Sequence, residues 1–239
     1  MAPKGAILHV GSNRHFRFLG PVHGDGTFKF IPIPEDKHDP ERSWKYEELG
    51  LAEDLPRNWK WGKYAHYDPE FLTFTYGDPI EHTLRLRHAR ELREDEFLFF
   101  LASLRYSPRD GETRASDIDP EWAYYLIGFF ELAEPPIVLP YPFPDDARKR
   151  FSNNANVRRV NDQRPIFIFE GTKNGKEHSR QLMRAVALSN EVVPNTLARQ
   201  AMPWLTPRPN KGWAYRWWGE NFVFPEGVQI LLRAMGLDL

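Results

Sequence analysis

The 239-residue sequence contains no cysteine and no apolar run of the roughly 18 residues that a membrane-spanning helix needs. The missing cysteine excludes disulfide bonds, thiolate zinc sites and a cysteine nucleophile, and it fits the cytoplasmic location that we expect. The apolar run near the start is too short for a signal peptide. Formal net charge is only −1, so nucleic acid could be bound only through a local basic surface.

Sequence motifs for common cofactors are also missing. There is no Gly-x-Gly-x-x-Gly, no Gly-Lys-Ser/Thr phosphate loop, no His-Glu-x-x-His and no Gly-x-Ser-x-Gly. Dinucleotide-binding, nucleotide triphosphatase, zinc protease and serine hydrolase functions therefore have no support. The sequence identifies no cofactor and predicts no metal site, and no internal repeat is visible.

Two apolar, aromatic segments predict the centre of the fold. Residues 97–101 and 124–130 have strand length and are apolar on both faces, as expected for strands buried on both sides. The link between them, residues 107–120, is rich in turn-forming residues, so the two strands should be neighbours. Gly128 within the second strand predicts a bulge or a close backbone approach.

The remaining pattern predicts one α+β domain over residues 1–239. We expect a curved, mostly antiparallel sheet or a partly open barrel, with peripheral helices and with the long loops that 21 prolines indicate. Further strands are predicted at residues 6–10, 27–31 and 165–169. Helices are predicted at 81–94 and 228–235, and residues 179–188 form either a short helix or an extended connection.

Three segments combine basic, amide and aromatic residues that could contact nucleic acid. Arg105 and Tyr106 lie where the first central strand ends. Asn153, Asn154 and Arg158 belong to an amide-rich, basic segment. Asparagine can read the edge of a base, although it more commonly stabilises turns.

The third segment is the densest aromatic and basic stretch of the chain. Trp213 and Tyr215 would share a face if this segment is extended, and Arg216 follows them. Such a surface can stack on bases or sugars, or it can simply close one end of a barrel.

Acidic residues and one histidine form a separate candidate site. His66 and Asp68 would point to the same side of an extended segment, which suits an acid–base pair or a metal pair, whereas Asp68 could instead cap the turn at Pro69. Asp25 and Glu35 also lie beside glycine or proline. We expect all four to contribute more to local structure than to binding.

Several short motifs occur together in an order that resembles the third of the nucleotide-modification-associated domain families. The motifs are Gly20-Pro21, Asp25-Gly26, Ile31-Pro32-Ile33-Pro34-Glu35, His66-Tyr67-Asp68-Pro69, Leu98-Phe99-Phe100, Leu126-Ile127-Gly128, Asn153-Asn154 and Asn221-Phe222-Val223. The central strands also resemble the base-binding barrels of the pseudouridine-synthase-and-archaeosine (PUA-like) type. These resemblances imply an association with modified nucleotides, and nucleic acid or a modified nucleotide as the partner, without implying a reaction.

Two functional hypotheses follow. In the first, the protein is a module that binds a modified or flipped base in nucleic acid. In the second, it is an enzyme acting on a nucleotide or nucleic acid, with His66, Asp68, Asp25 and Glu35 as acid–base or metal groups. Convergence of these four side chains would favour the enzyme, and their separation as turn caps would count against it.

Overall fold

The structure is a computed structural model that describes residues 2–10, 20–35, 39–55, 62–107, 122–159, 163–172, 179–187, 205–208, 212–215 and 222–237. The strands are β1 (Gly5–Val10), β2 (Gly20–Val22), β3 (Trp44–Lys45), β4 (Tyr64–Ala65), β5 (Thr75–Pro79), β6 (Phe97–Tyr106), β7 (Trp122–Glu131), β8 (Ile137–Leu139), β9 (Ile166–Glu170), β10 (Arg180–Ala187), β11 (Leu205–Arg208), β12 (Gly212–Tyr215) and β13 (Phe222–Val223). The helices are α1 (Thr83–Leu86), α2 (Asp145–Arg150), α3 (Ala155–Arg158) and α4 (Pro225–Ala234).

The two predicted central strands, β6 and β7, are antiparallel neighbours, which confirms that part of the sequence analysis. They lie in a six-stranded sheet in the order β10-β7-β6-β1-β13, with β2 also paired to β6. Most pairs in this sheet are antiparallel, but β1 and β2 both run parallel to β6. Gly128 lies beside a register shift between β6 and β7 and in close contact with Phe71, as its position predicted.

The central strands β1 and β6 of the six-stranded sheet are buried on both faces. On one face, Leu98 and Phe100 of β6 belong to a core that includes Tyr76 of β5 and Phe169 of β9. On the other face, Phe99 packs into a core with α4. Successive side chains of a strand point to opposite faces, so the uninterrupted apolar run of β6 feeds both cores.

A three-stranded antiparallel sheet, in the order β5-β9-β8, faces the first of these cores. Its β8 and β9 strands pack with α2 and α3 in a smaller apolar cluster that includes Phe143 and Phe151. β5 of this sheet and α3 each donate a hydrogen bond to the polar group described below.

Some predicted elements differ from the structure. Only α1 and a 3₁₀ turn at Ala89–Glu91 form within the helix predicted at 81–94. The His82 side chain binds Asp78 instead of capping α1, which leaves the first turn without a side-chain cap. Residues 27–31 form only isolated bridges at Thr27 and Phe28, and the prolines that follow cannot extend a ladder.

Other expectations are met in part. Residues 180–187 are the extended alternative, β10, and the C-terminal helix begins earlier than predicted because Pro225 occupies its first turn. The described strands form open sheets and no closed barrel, so the PUA-like barrel is not confirmed. None of the described helices is long and apolar enough to cross a membrane.

Candidate functional site

Two extended segments bring Glu35 and His66 side by side. Pro34 and Ala65 form an antiparallel bridge, the Glu35 amide donates to the carbonyl of Tyr64, and the His66 amide donates to the carbonyl of Ile33. Residues that are distant in sequence therefore become direct neighbours through backbone pairing.

Glu35 lies between two nitrogen donors. The Nδ1 atom of His66 is 2.8 Å from Glu35 Oε2, and the Nε atom of Arg159 is also 2.8 Å from that oxygen. The Glu35 side chain is 3 % exposed, whereas those of His66 and Arg159 are 12 % and 13 % exposed. The surface of this group is therefore formed by the imidazole and the guanidinium, with the carboxylate behind them.

Asp68 lies on the other side of the imidazole. Its carboxylate accepts hydrogen bonds from the Gly77 amide at 3.0 Å and from Asn156 Nδ2 at 2.8 Å. Asp68 Oδ2 is 3.9 Å from His66 Nε2, which is too long for a direct hydrogen bond. The Nε2 atom of His66 and the Asp68 carboxylate therefore face each other across a short gap.

The short helix α3 fixes two members of this group. The Asn154 side chain accepts hydrogen bonds from the amides of Asn156 and Val157 at the start of α3, and it donates to Thr75 Oγ1 of β5 at 3.2 Å. This cap orients Asn156, whose side chain also contacts Arg159 Nη1 at 3.2 Å. A Cβ atom at Gly77 would lie 2.7 Å from Asn154 Oδ1, so only glycine allows β5 and α3 to approach this closely.

Burial and neighbouring charges displace the pKa values of the group. Burial would raise the pKa of Glu35, but hydrogen bonds and charges of His66 and Arg159 outweigh it and lower that pKa to about 2. Burial and the charge of Arg159 lower the pKa of His66, while Glu35 partly opposes them. Burial raises the pKa of Asp68 well above its ordinary value, against the effect of the Gly77 hydrogen bond.

The ionised state of Glu35 determines the tautomer of His66. A carboxylate only accepts hydrogen bonds, so the neutral imidazole carries its proton on Nδ1 and has its lone pair on Nε2. The lone pair lies on the side of the ring that faces Asp68. This arrangement can accept a proton at Nε2 and stabilise the resulting imidazolium through Glu35.

A second histidine–carboxylate pair lies at the end of β5. The buried Asp78 carboxylate binds His82 Nδ1 and accepts a hydrogen bond from the Tyr76 hydroxyl at 2.7 Å, and Arg85 Nη1 lies 3.4 Å from it. His82 is largely exposed on the surface. Asp78 acts electrostatically on both Asp68 and His66, so the two pairs share one electrostatic environment.

Three of the four acid–base candidates converge, and the fourth does not. Glu35, His66 and Asp68 belong to one group. Asp25 is exposed and binds the amide of Thr27 at 2.9 Å and its hydroxyl at 2.6 Å, which stabilises its own turn. Within the part of the chain that the structure describes, no group of three His, Asp or Glu side chains is arranged to hold a metal ion.

The predicted nucleic-acid contacts differ in their exposure. Arg105 is exposed and Tyr106 is half-buried at the end of β6. Asn154 has no exposed surface, because its amide caps α3. Asn153 accepts a hydrogen bond from Arg158 Nη2 at 3.3 Å, and the Arg158 guanidinium lies 4.2 Å from the centre of the Trp44 ring.

The backbone of Trp213 and Tyr215 is extended in β12, which pairs with β11, as the prediction of a stacking surface required. Arg216 lies outside the described residues.

Sequence reasoning missed Asn156, Arg159 and Asp78. Arg159 directly follows the predicted Arg158. Arg158 contacts Trp44, whereas Arg159 contacts Glu35. A four-residue helix is too short to show a periodic pattern that would separate the two arginines. Asp78 lies between Gly77 and Pro79, and nothing in that tripeptide indicates a strand.

Comparison with known proteins gives one family. A family model described as nucleotide modification associated domain 3 matches residues 10–226, a range that contains the whole polar group. No curated protein matches the chain. No solved structure matches it. Because the match spans most of the sequence and agrees with the motif order described above, the chain belongs to the nucleotide modification associated domain 3 family.

Proposed function

We propose that this protein is an enzyme that acts on a nucleotide or nucleic acid in nucleotide modification, with His66 as its general base. The observation that supports this function is the convergence of Glu35, His66 and Asp68 with Arg159 in one group. The description of the family, nucleotide modification associated domain 3, supports a nucleotide as the class of substrate.

In this proposal His66 Nε2 removes a proton from a hydroxyl, amine or water held beside it. Glu35 holds the Nδ1 proton and stabilises the imidazolium that forms, as carboxylates do in other histidine-dependent enzymes. Arg159 keeps Glu35 ionised and positions it. Neither Glu35 nor Arg159 needs to touch the substrate.

Asp68 is the second proton-transfer group. Its pKa is raised and that of His66 is lowered, so both shifts oppose the ordinary preference of a proton for an imidazole over a carboxylate. The 3.9 Å separation requires the substrate or a water molecule to carry the proton between the two groups.

The experiment is a screen of modified and unmodified nucleotides and oligonucleotides for products detected by mass spectrometry. Removing a general base costs about 10²–10⁴-fold in rate, so His66→Gln should lose the activity at unchanged melting temperature. His82→Gln is the matched control, because His82 also binds a carboxylate but lies on the surface. Turnover of the wild type that His66→Gln leaves undiminished would exclude this function.

A second candidate is the binding of a modified or flipped base without turnover. The observation that favours it is the extended backbone of β12, which carries Trp213 and Tyr215. Stacking of a base on an aromatic ring contributes about 1–3 kcal/mol, and phosphate contacts add a dependence on salt.

A salt titration of oligonucleotide binding distinguishes this candidate. Trp213→Ala and Arg216→Ala should weaken binding, and Arg216→Ala should also reduce its salt dependence. Equal binding by the wild type and both variants would show that Trp213 and Arg216 do not contact the oligonucleotide.

A further inference from the structure

A cavity of about 890 Å³ is lined in part by Val157 and Arg158 of α3. It is bounded by the turn at residues 41–42, by residues 142–145 and by helices α2 and α3. Ligand sites in proteins commonly have volumes of about 300–1,000 Å³, so this cavity is large enough for a nucleotide.

Cationic side chains outnumber acidic side chains in the lining of the cavity. Arg42, Arg148, Lys149 and Arg158 contribute positive charge, and Glu41 and Asp145 contribute negative charge. Like charges gathered along one concave surface concentrate the electric field and attract ions of the opposite sign.

Arg158 is held in place by uncharged groups. Its Nε atom donates to the Ser152 carbonyl at 2.6 Å, Nη1 donates to the Arg42 carbonyl, and Nη2 donates to Asn153 Oδ1 at 3.3 Å. Its guanidinium also stacks on Trp44. These contacts fix the orientation of the guanidinium without neutralising its charge.

The cations that line the cavity differ in their counter-ions. In the described residues no carboxylate lies within 4 Å of Arg148, Lys149 or Arg158, and the carboxylates of Glu48 and Glu70 act on Arg158 only from a longer distance. Arg148 donates through Nε to the Phe143 carbonyl at 3.1 Å and leaves the rest of its guanidinium available. Arg42 has only a long, 3.7 Å contact with Asp39.

We propose that this cavity binds the phosphate group of the nucleotide on which the protein acts. Guanidinium groups pair with phosphate oxygens through two parallel hydrogen bonds, and a preoriented arginine loses little freedom on binding. The identity of the ligand rests on the proposed function, whereas the cationic cavity does not. Arg158 and Arg159 are consecutive residues, so one short segment serves both the phosphate cavity and the His66 group.

The test compares charge reversals inside and outside the cavity. Lys149→Glu removes an exposed, unpaired cation from the cavity, and Arg90→Glu makes the same change at an exposed position elsewhere. Binding of inorganic phosphate, a deoxynucleoside monophosphate and a labelled single-stranded oligonucleotide is measured for each at low salt. We expect Lys149→Glu and Arg148→Gln to weaken binding about tenfold, and Arg90→Glu to change it less than about twofold.

The probes also identify the source of the phosphate. Equal losses with the monophosphate and the oligonucleotide support a site for one nucleotide, and a loss confined to the oligonucleotide supports a site for the nucleic-acid backbone. The proposal is overturned if both cavity variants bind every probe as the wild type does. It is also overturned if the wild type binds none of the probes.

His66→Gln separates this inference from the proposed function. The variant should bind inorganic phosphate as the wild type does, because His66 does not line the cavity. If His66→Gln keeps full turnover while Lys149→Glu loses binding, the general-base role is wrong and the phosphate site stands. If His66→Gln loses turnover while Lys149→Glu binds normally, the phosphate site is wrong and the general base stands.

Discussion

Glu35 and His66 illustrate how much a single hydrogen bond matters inside a protein. Burial and the charge of Arg159 make protonation of His66 less favourable, and Glu35 is the group that opposes them most directly. The basicity of the imidazole therefore depends on a carboxylate that lies behind it and is itself almost inaccessible.

Replacing Glu35 with glutamine tests this dependence. Glu35→Gln should lower the pKa of His66 further, because the negative charge that favours the imidazolium is lost while burial and Arg159 remain. Titration of the His66 imidazole by NMR, in the wild type and in the variant, measures the change. A pKa of His66 that is unchanged or higher in the variant would show that Glu35 does not stabilise the charged ring.

At the scale of elements, α3 depends on Asn154, the residue that caps its N-terminus. Asn154→Ala removes the cap of α3 and its contact with Thr75, and it should reduce the free energy of unfolding by about 1–2 kcal/mol. Asn153→Ala is the control, because that side chain makes only a 3.3 Å contact with Arg158. Urea denaturation measures both variants, and equal midpoints would show that the cap contributes nothing.

The close contact between β7 and β10 requires glycine at residue 128. A Cβ atom at Gly128 would lie 2.6 Å from the Phe71 ring and 2.7 Å from the carbonyl of Arg180, so the strand and the ring could not both keep their positions. Gly128→Ala should therefore destabilise the protein by about 1–3 kcal/mol.

The matched control for this change is Gly50→Asn. Gly50 has a φ of 66°, which asparagine tolerates, and a Cβ atom there would meet nothing within 4 Å. Thermal unfolding should separate the two variants clearly. Equal melting temperatures would show that β10 moves to accommodate a methyl group at residue 128 at little cost in stability.

The strands that could be predicted from the sequence are those with long apolar runs. The apolar runs of β6 and β7 identify them as central strands, because only burial on both faces accommodates so many aromatic side chains. β5 could not be predicted, since Thr75-Tyr76-Gly77-Asp78-Pro79 resembles a turn, and it forms a strand through pairing with β9. Tertiary contact overrides local preference there.

The candidate site, too, could be predicted from the sequence only in part. Glu35, His66 and Asp68 could be singled out by residue type, but their meeting depends on the bridge between Pro34 and Ala65, which leaves no local signal. Arg159 could not be distinguished from Arg158, because their different partners follow from the direction of α3.

At the scale of the whole molecule, buried histidines should make the fold sensitive to acid. Burial, with a smaller effect from Arg85, lowers the pKa of His9 to about 3, and its Nε2 atom lies 3.0 Å from the Ser103 hydroxyl. Between pH 6.5 and pH 3 the unfolded chain therefore binds a proton that the folded protein does not. Stability falls as the pH falls through this window, by at most roughly 5 kcal/mol from His9.

The other members of the polar group modify this curve. His66 acts in the same direction as His9, because its pKa is also lowered. Glu35 contributes stability that is present above pH 4.5 and is lost as the pH falls toward 2. Asp68 has the opposite sign: its raised pKa favours the folded state in acid, and that contribution is lost as the pH rises.

His9→Gln should flatten the curve between pH 7 and pH 3, since glutamine does not titrate. Urea unfolding at intervals of one pH unit, for the wild type and the variant, measures the slope. Parallel curves would show that His9 does not cause the acid sensitivity.

The pairing of β1 also has a consequence for the time course of synthesis. All six residues of β1 are buried, and Gly5 pairs with Phe97 of β6 on one side and with Val223 of β13 on the other. At about 5–20 residues per second, a ribosome delivers β13 roughly 10–40 s after β1. During that interval the edge of β1 that later pairs with β13 is unpaired, and such an edge is a template for aggregation and a binding segment for chaperones.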